Sequence, residues 1–243
     1  MTLGHLCERN PQFPDPMTAL EEPDGLLAVG GNLAANTLIE AYSRGIFPWY
    51  QDGDPLLWWS PSQRCVLHPS QLHVSRSLKK IIRRGDFSIT SDTVFDQVLS
   101  GCIKTRIKQS GGTWITPTMR KAYNTLHNLG IAHSVEVWQD NQLQGGLYGV
   151  AIGGVFCGES MFSYSANSSK LAFVALCDRL KDADFGLIDC QMETAHLNSL
   201  GAISIARESF LERLKLHVDR TICLLYTSPS PRDVEESRMP SSA

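Results

Sequence analysis

Apolar residues recur along this chain with two spacings, one typical of helices and one typical of strands, and together they predict its elements. Helical spacing over residues 70–84 predicts a basic helix whose inward-facing side chains are Leu72, Leu78, Ile81 and Ile82. Further helices are predicted over residues 32–45, 92–104, 117–129, 168–182, 194–200 and 207–217. Strands are predicted over residues 131–139, 142–150, 155–163, 186–192 and 202–206. This order predicts an α/β (α+β) fold with a mostly antiparallel, partly parallel sheet.

The first 62 residues differ in character from the rest, because they are rich in Pro, Gly and Trp. Five aromatic residues interrupted by prolines lie between Phe47 and Trp59, and this pattern predicts a rigid, aromatic-walled loop. Such tryptophans are typical either of core packing or of stacking on unpaired bases, and both interpretations stay open. We predict a small N-terminal domain over 1–62, a larger domain over 63–222 and a disordered tail over 223–243.

The composition of the chain argues against several classes of protein. The 243 residues carry a formal net charge of −3, which argues against a general nucleic-acid coat but leaves room for a local basic patch. No run of about 18 apolar residues and no signal peptide are recognisable, so we predict no membrane association. The seven cysteines include no CxxC pair, and we expect them to be reduced thiols in a cytoplasmic protein without a zinc site.

Two predicted strands carry polar side chains that an ordinary core strand would lack. Glu159 lies in the strand 155–163, and Asp189 and Gln191 lie in the strand 186–192. A buried carboxylate needs a partner or a function. Alternation puts Asp189 and Gln191 on one face, and a bulge at Gly158 would change the direction of the residues around it. The alternative is structural, with Asp189 capping the helix predicted at 194 or pairing with a Lys.

The predicted helix 70–84 carries five cations with no acidic residue among them. They are Arg76, Lys79, Lys80, Arg83 and Arg84. Such a face is either simply solvated or a surface for phosphates, and the sequence leaves both open.

Several familiar catalytic patterns are absent. Phe162 stands where a GxSxG nucleophile turn needs its second glycine, and there is no GxxxxGK[ST] or HExxH pattern. Leu147 stands at the first required glycine of the loop with which acetyltransferases bind acyl-CoA pyrophosphate.

From about residue 12 to about 222 the chain resembles the leucyl/phenylalanyl-tRNA–protein transferase family. The matching motifs are EPDGLLAVGG at 22–31, YSRGIFPW at 42–49, WWSP at 58–61, GTWIT at 112–116, HSVEVW at 133–138, GGLYGV at 145–150, FCGESMFS at 156–163, LIDCQ at 187–191 and HLNSLG at 196–201. Asn32 and Leu147 depart from the family's usual Asp and Met, and the tail does not match.

The resemblance implies transfer of Leu or Phe, and Met less well, from aminoacyl-tRNA to the N-terminal Arg or Lys of a protein, which marks that protein for N-end-rule degradation. It also implies a monomer without metal or cofactor, and a small N-terminal domain joined to an acetyltransferase-like (GNAT-like) larger domain.

Roles for individual residues follow from the same resemblance. Asp189 and Gln191 would be catalytic, with proton removal either direct or relayed. The substrates would be bound by Glu159, Phe156, Met161, Leu147, Phe173, Trp49, Trp114, Tyr123 and Tyr42. The acceptor stem of the tRNA would lie on Arg76, Lys79, Lys80, Arg83 and Arg84. An acyl-CoA acetyltransferase and a catalytically idle tRNA-end-binding module stay as alternatives.

Overall fold

Two β-sheets form the framework of the computed structural model, which describes residues 2–222. The smaller sheet has the order β1-β2-β4-β3, with β1 (Gly4–Leu6), β2 (Leu26–Gly30), β3 (Phe47–Pro48) and β4 (Leu57–Trp59). The larger sheet has the order β11-β5-β10-β9-β8-β7-β6, with β5 (Gln63–Leu67), β6 (Ser88–Ser91), β7 (Ala132–Gln139), β8 (Gln142–Ile152), β9 (Val155–Ser163), β10 (Leu187–Gln191) and β11 (Ile203–Ala206). In the larger sheet β9 and β10 pair in parallel and the other neighbours pair antiparallel, which confirms the predicted mixed sheet.

Helices cover both faces of the larger sheet. They are α1 (Ala35–Ser43), α2 (Arg76–Arg84), α3 (Phe95–Ser110), α4 (Pro117–Asn128), α5 (Ser168–Asp182), α6 (Ala195–Asn198) and α7 (Arg207–Val218), with short 3-10 turns at Pro16–Thr18 and Pro69–Gln71. Residues of α1, α3, α4 and α7 pack with the smaller sheet on one face. Residues of α2, α5 and α6 pack on the other face.

Local sequence signals explain where several elements begin and end. The Thr116 hydroxyl accepts a hydrogen bond from the Met119 backbone, and Pro117 occupies the first position of α4. The Ser75 hydroxyl caps α2 in the same way, and Gly85 ends α2 with φ +70°. Residues 140–141 both have positive φ, as a two-residue hairpin turn requires.

The structure corrects the prediction in several places. The helix predicted from residue 70 begins at Arg76, and Ile82, expected to face inward, is 43% exposed. Helix α3 runs over Phe95–Ser110 rather than 92–104. The segment predicted as an aromatic loop contains β3 and β4, and strands β1, β2, β5 and β6 were not predicted. These strands are short, and tertiary pairing rather than local periodicity stabilises them.

The two sheets share one hydrophobic core. Leu38 and Tyr42 of α1 belong to the same buried cluster as Phe95, Tyr123 and Phe210 of the larger unit. The domain limits 1–62 and 63–222 therefore stay predictions. The predicted tail 223–243 lies outside the described residues. Within residues 2–222, no helix is long and apolar enough to cross a membrane.

Candidate active site

The site lies where the two parallel strands of the larger sheet separate. Pairing between β9 and β10 ends at Cys157 and Asp189. Beyond that point the strands border a cavity of about 380 Å³. Since Tyr148 pairs with Ser160 and Gly149 pairs with Gly158, Glu159 is the extra residue of a bulge in β9.

The bulge reverses the alternation of β9. Phe156 and Met161 have opposite parity in the sequence, yet both pack on the α5 face. Cys157 and Phe162 both pack on the opposite face. The bulge that the sequence predicted near Gly158 is thus confirmed, and it brings Phe156 and Met161 to one wall of the cavity.

One half of the cavity is apolar and lies toward α5. We call it the apolar chamber, and its wall is formed by Leu147, Phe156, Met161, Phe173, Leu176 and Leu197. The first four of these were predicted to bind the substrates. Their apolar surface suits an unbranched or aromatic side chain, and the cavity wall also includes Cys190, Met192, Glu193 and Thr194.

The other half lies toward α3 and the smaller sheet. We call it the aromatic chamber, and its wall is formed by Phe47, Pro48, Trp49, Arg106, Trp114, Tyr148 and Ser160. Core packing and stacking on a base were the two interpretations of the tryptophans, and each fits a different residue. Trp58 is fully buried, and its indole donates to the Gly30 carbonyl, so it fills the core. Trp49 is 40% exposed at the cavity and is available to stack on a ligand.

Glu159 stands where the two chambers meet. Its Oε1 accepts hydrogen bonds from the Tyr42 hydroxyl at 2.8 Å and the Gln191 amide at 3.2 Å, and its Oε2 accepts one from the Tyr123 hydroxyl at 2.6 Å. Burial raises the pKa of Glu159 to about 7, against the lowering effect of the two tyrosine hydroxyls. A carboxyl group of this pKa is present in both protonation states near neutral pH.

Asp189 is bound in a buried ion pair. Both of its oxygens accept hydrogen bonds from the Arg64 guanidinium at 2.7 Å, and both side chains are 1% exposed. The guanidinium also donates to the Gly45 carbonyl and lies between the rings of Phe47 and Phe210, 4.8 and 4.5 Å from their centroids. An ion pair of Asp189 was the structural alternative left open by the sequence, but its partner is Arg64 rather than the expected Lys.

Gln191 links the ion pair to the cavity. Its backbone has φ +55°, a region that non-glycine residues rarely adopt, and its N–H donates to Asp189 Oδ1 at 3.0 Å. Strand β10 is irregular between the two residues. The expectation that regular alternation brings both side chains to one face is therefore wrong. Gln191 reaches the cavity wall and Asp189 does not.

The structure brings together most, but not all, of the predicted site residues. Gln191, Glu159, Phe156, Met161, Leu147, Phe173, Trp49 and Trp114 border the cavity. Tyr42 and Tyr123 do not border it and act on it through Glu159. Arg76, Lys79, Lys80, Arg83 and Arg84 are exposed on α2, away from the cavity wall.

Sequence reasoning missed several residues of the cavity wall, among them Arg106, Tyr148, Ser160 and Glu193, and it missed Arg64 behind the wall. Tyr148 lies in the GGLYGV motif and Ser160 in the FCGESMFS motif, but a single tyrosine or serine in an apolar strand is not by itself a signal for a site. Arg64 had no signal, because its partner is 125 positions away. Within residues 2–222, no group of three or more His, Cys, Asp and Glu side chains could hold a metal ion.

Comparisons with known proteins agree with one another. A family model described as Leucyl/phenylalanyl-tRNA protein transferase matches residues 66–215, and one for the N-terminal domain of the same family matches residues 31–62. A leucyl/phenylalanyl-tRNA–protein transferase of Stutzerimonas stutzeri is 56% identical over 208 residues, which are 86% of this chain and 92% of that protein. One of Nitrosospira multiformis is 58% identical over 203 residues, 84% and 87% of the two chains.

Solved structures give a more distant likeness. FemX matches with a TM-score of 0.47 at 9% identity, over 70% of this chain and 66% of FemX. Because this TM-score is below 0.5, no argument rests on it. The two family models and the relatives above 50% identity show that the chain belongs to the leucyl/phenylalanyl-tRNA–protein transferase family of aminoacyltransferases.

Proposed function

We propose that this protein transfers Leu or Phe, and Met less well, from the 3′ end of an aminoacyl-tRNA to the α-amine of a protein that begins with Arg or Lys. The modified protein would then be marked for N-end-rule degradation. The observation that carries the proposal is the divided cavity between β9 and β10, with one apolar chamber, one aromatic chamber, and Glu159 and Gln191 where they meet. The predicted cytoplasmic location and monomeric state stay predictions.

The apolar chamber supports a role in choosing the amino acid. Leu147, Phe156 and Met161 offer a wall of flexible and aromatic side chains without a polar group. A pocket of this kind separates one apolar side chain from another by only about 1–3 kcal/mol. Acceptance of Leu, Phe and Met by one enzyme is consistent with that weak discrimination.

The aromatic chamber supports a role in holding the terminal adenosine. Trp49 and Trp114 border it together, and Trp49 is partly open to solvent. Stacking of a base on an aromatic side chain contributes about 1–3 kcal/mol in single-stranded nucleic-acid complexes. A base held there would leave the aminoacyl group free to enter the apolar chamber.

The reaction in this site would be aminolysis of an ester. The neutral α-amine attacks the ester carbonyl, the C–N bond forms, and the bond to the ribose oxygen breaks. We propose that Glu159 and Gln191 orient the amine and that Glu159 receives its proton, since a base with a pKa near the working pH is best suited to that task. The proton is then available to the departing ribose hydroxyl.

We propose a positioning role for Asp189, which the sequence had assigned to the chemistry. Its oxygens are held by Arg64 and by the Gln191 backbone, and the side chain does not reach the cavity. Such a carboxylate can hold Gln191 in its unusual conformation but has no access to the amine. Direct proton abstraction by Asp189 is therefore not favoured by this geometry.

We also propose that the basic face of α2 binds phosphates of the tRNA stem. Its five cations are exposed, and Arg84 alone among them has an ion-pair partner within residues 2–222, namely Asp86 at 2.8 Å. Free cations on one surface suit contacts that position a nucleic acid without reading its sequence.

One assay tests the proposed function. Purified protein is mixed with a peptide that begins with Arg and with either radiolabelled Leu-tRNA or radiolabelled acetyl-CoA. Label from Leu-tRNA on the peptide is the expected result, and a peptide with an acetylated N-terminus is the matched control. Label from acetyl-CoA would support an acetyltransferase, and tRNA retention without labelled peptide would support an idle binding module.

A further inference from the structure

Three hydrogen-bond donors in the aromatic chamber lack partners. The Arg106 guanidinium is exposed and makes no hydrogen bond or ion pair with any of residues 2–222. The hydroxyls of Tyr148 and Ser160 are buried, with side chains 0% and 8% exposed, and neither has a hydrogen-bond partner of ordinary geometry among residues 2–222. Leaving a buried hydroxyl unpaired costs free energy, so each would gain from a polar ligand group in the adjoining cavity.

The fold brings these three residues together by two separate contacts. Tyr148 and Ser160 face each other directly across β8 and β9, one position before the bulge. Helix α3 approaches the same face closely, because Gly101 has no side chain where a Cβ would lie 2.7 Å from the Phe162 ring. Arg106, about one and a half helical turns beyond Gly101, borders the same cavity as Ser160.

The Cys102 thiol does not satisfy the Ser160 hydroxyl. The two groups are neighbours and interact, but a thiol is only a weak hydrogen-bond partner. By ordinary hydrogen-bond geometry Ser160 Oγ has no partner among residues 2–222. Cys102 and Arg106 are four residues apart on α3, so they lie on the same side of the helix. The Arg106 side chain thus projects from the same face of α3 as Cys102, the neighbour of Ser160.

Burial and nearby charges determine the protonation state of the Tyr148 hydroxyl. Burial, and next the nearby Glu159, raise the pKa of Tyr148 well above its usual value, whereas Arg106 acts in the opposite direction. The hydroxyl therefore keeps its proton at neutral pH and can donate a hydrogen bond. Glu159 and Arg106 both act electrostatically on Tyr148, with opposite effects on its pKa.

The groups on this wall correspond to the groups of a nucleotide ester. The ester lies beside Glu159 in the proposed reaction, the ribose comes next, and the 5′-phosphate is farthest from the ester. Ser160 follows Glu159 on β9 and pairs with Tyr148, so their two hydroxyls would meet the ribose, and the exposed Arg106 on α3 offers a cation for the phosphate. Guanidinium is the side chain best matched to phosphate oxygens.

We propose that Arg106 binds the 5′-phosphate of the donor's terminal nucleotide and that Tyr148 and Ser160 bind its ribose oxygens. This inference rests on the proposed function, because it takes the nucleotide as the occupant of the aromatic chamber. The phosphate proposed for Arg106 belongs to the terminal nucleotide, whereas those proposed for α2 belong to the tRNA stem. The three residues would hold the nucleotide so that its ester points at Glu159.

Binding of a stable donor analogue tests the phosphate contact. The probes are 3′-leucylamido-3′-deoxyadenosine with and without a 5′-phosphate, titrated calorimetrically into the full chain. We expect the phosphate to tighten binding at least about 10-fold, since a charge-assisted hydrogen bond is lost without it. Arg106→Ala should abolish this advantage and leave the Kd of the phosphate-free probe within about twofold, and Arg106→Lys should retain part of it.

Lys108→Ala is the matched control, because Lys108 is also an exposed cation of α3 but does not border the cavity. It should leave both Kd values unchanged. If Arg106→Ala weakens both probes equally, or neither, the phosphate assignment is wrong. If inorganic phosphate at the same concentration removes the advantage of the phosphorylated probe, Arg106 is a general anion site and the assignment is also wrong.

The hydroxyls are tested by Tyr148→Phe and Ser160→Ala, which keep the packing of the chamber. Each should weaken both probes about threefold to 10-fold, because both probes carry the ribose. No effect of either substitution would indicate that these hydroxyls hold only water and would overturn their part. Since all readouts are binding constants, failure of peptide labelling would reject the proposed function separately.

Discussion

At the residue scale, the Arg64–Asp189 pair is the most consequential interaction of the site. Two charges with 1% exposure have lost their hydration, and the bidentate geometry and the stacking of Arg64 on Phe47 and Phe210 offset that loss. The pair holds Gln191 through its backbone N–H. We therefore expect stability and catalysis to depend on the same carboxylate.

Removing this carboxylate should reduce stability as well as activity. Asp189→Ala leaves Arg64 buried and unpaired, and we expect a loss of about 3–5 kcal/mol in the free energy of unfolding. Urea unfolding measures it. Asp96→Ala, which breaks the exposed pair with Arg120, is the control and should cost at most about 1 kcal/mol. Equal losses in both variants would contradict the assignment of Asp189 as a structural partner.

A double variant separates the positioning role from the structural one. Arg64→Met with Asp189→Leu removes both charges, so most of the lost stability should return. Transfer activity should not return, because nothing then holds the Gln191 backbone. A stable double variant with full kcat would show that Asp189 has no positioning role.

Glu159 should make stability depend on pH. Its pKa in the folded protein is about 7, raised from 4.5, so the folded state holds the proton more tightly than the unfolded chain. Its contribution is complete below about pH 4.5 and is lost as pH rises to about 7, by up to about 3 kcal/mol. The difference in unfolding free energy between wild type and Glu159→Gln should change over this range, as denaturant titrations at pH 5 and pH 7.5 measure. An unchanged difference would mean that the pKa of Glu159 is ordinary.

At the element scale, the site depends on how closely α3 approaches β9. A Cβ at Gly101 would lie 2.7 Å from the Phe162 ring, so Gly101→Ala must displace the helix or the ring. We expect a loss of about 1–3 kcal/mol from this overpacking. Gly112→Ala is the control, because open space surrounds Gly112 and its φ is not in the left-handed region. Thermal unfolding compares them, and a neutral Gly101→Ala would show that α3 can shift freely.

Helix α2 should contribute electrostatically to tRNA binding. Lys80→Glu with Arg83→Glu should raise the apparent KM for aminoacyl-tRNA and flatten its dependence on salt, because fewer counterions are released. Arg213→Glu with Lys215→Glu on α7 changes the net charge equally and serves as the control. A similar KM increase in both variants would indicate an effect of total charge rather than of this helix.

At the scale of the whole molecule, the N-terminal segment and the larger unit share one buried hydrophobic cluster. Gly45 packs against Phe210 so closely that a Cβ there would lie 2.7 Å from the ring, and the Tyr42 hydroxyl reaches Tyr123 at 2.6 Å. Both contacts cross the predicted domain boundary at residue 62. The small domain thus completes the core that supports Glu159.

Deleting residues 1–62 should therefore prevent stable folding of the remainder. The fragment would expose Tyr123 and Phe210, which are fully buried in the whole chain. We expect no cooperative thermal transition by circular dichroism and increased binding of a hydrophobic dye, with the full chain as the control. A fragment that unfolds cooperatively near the temperature of the full chain would establish 63–222 as an independent domain.

Periodicity predicted the elements that carry strong local signals. Helices α4 and α5 and strands β7, β8 and β9 begin and end within a few residues of the prediction. Strand β5 was not predicted, because a buried Arg64 breaks its apolar pattern and is tolerated only through a distant carboxylate. Strand β6 has the polar sequence SITS, and it exists because β7 pairs with it.

The sequence by itself determined the mixed sheet, the family, and eight of the residues around the cavity, because these depend on local periodicity and on motifs. The tertiary structure alone decided which partners these side chains have among residues 2–222. It bound Asp189 to Arg64, turned Gln191 toward the cavity, placed Tyr42 and Tyr123 behind Glu159, and left Arg106 unpaired beside two buried hydroxyls. Burial and long-range pairing set the charge and direction of a side chain, and neither follows from spacing along the chain.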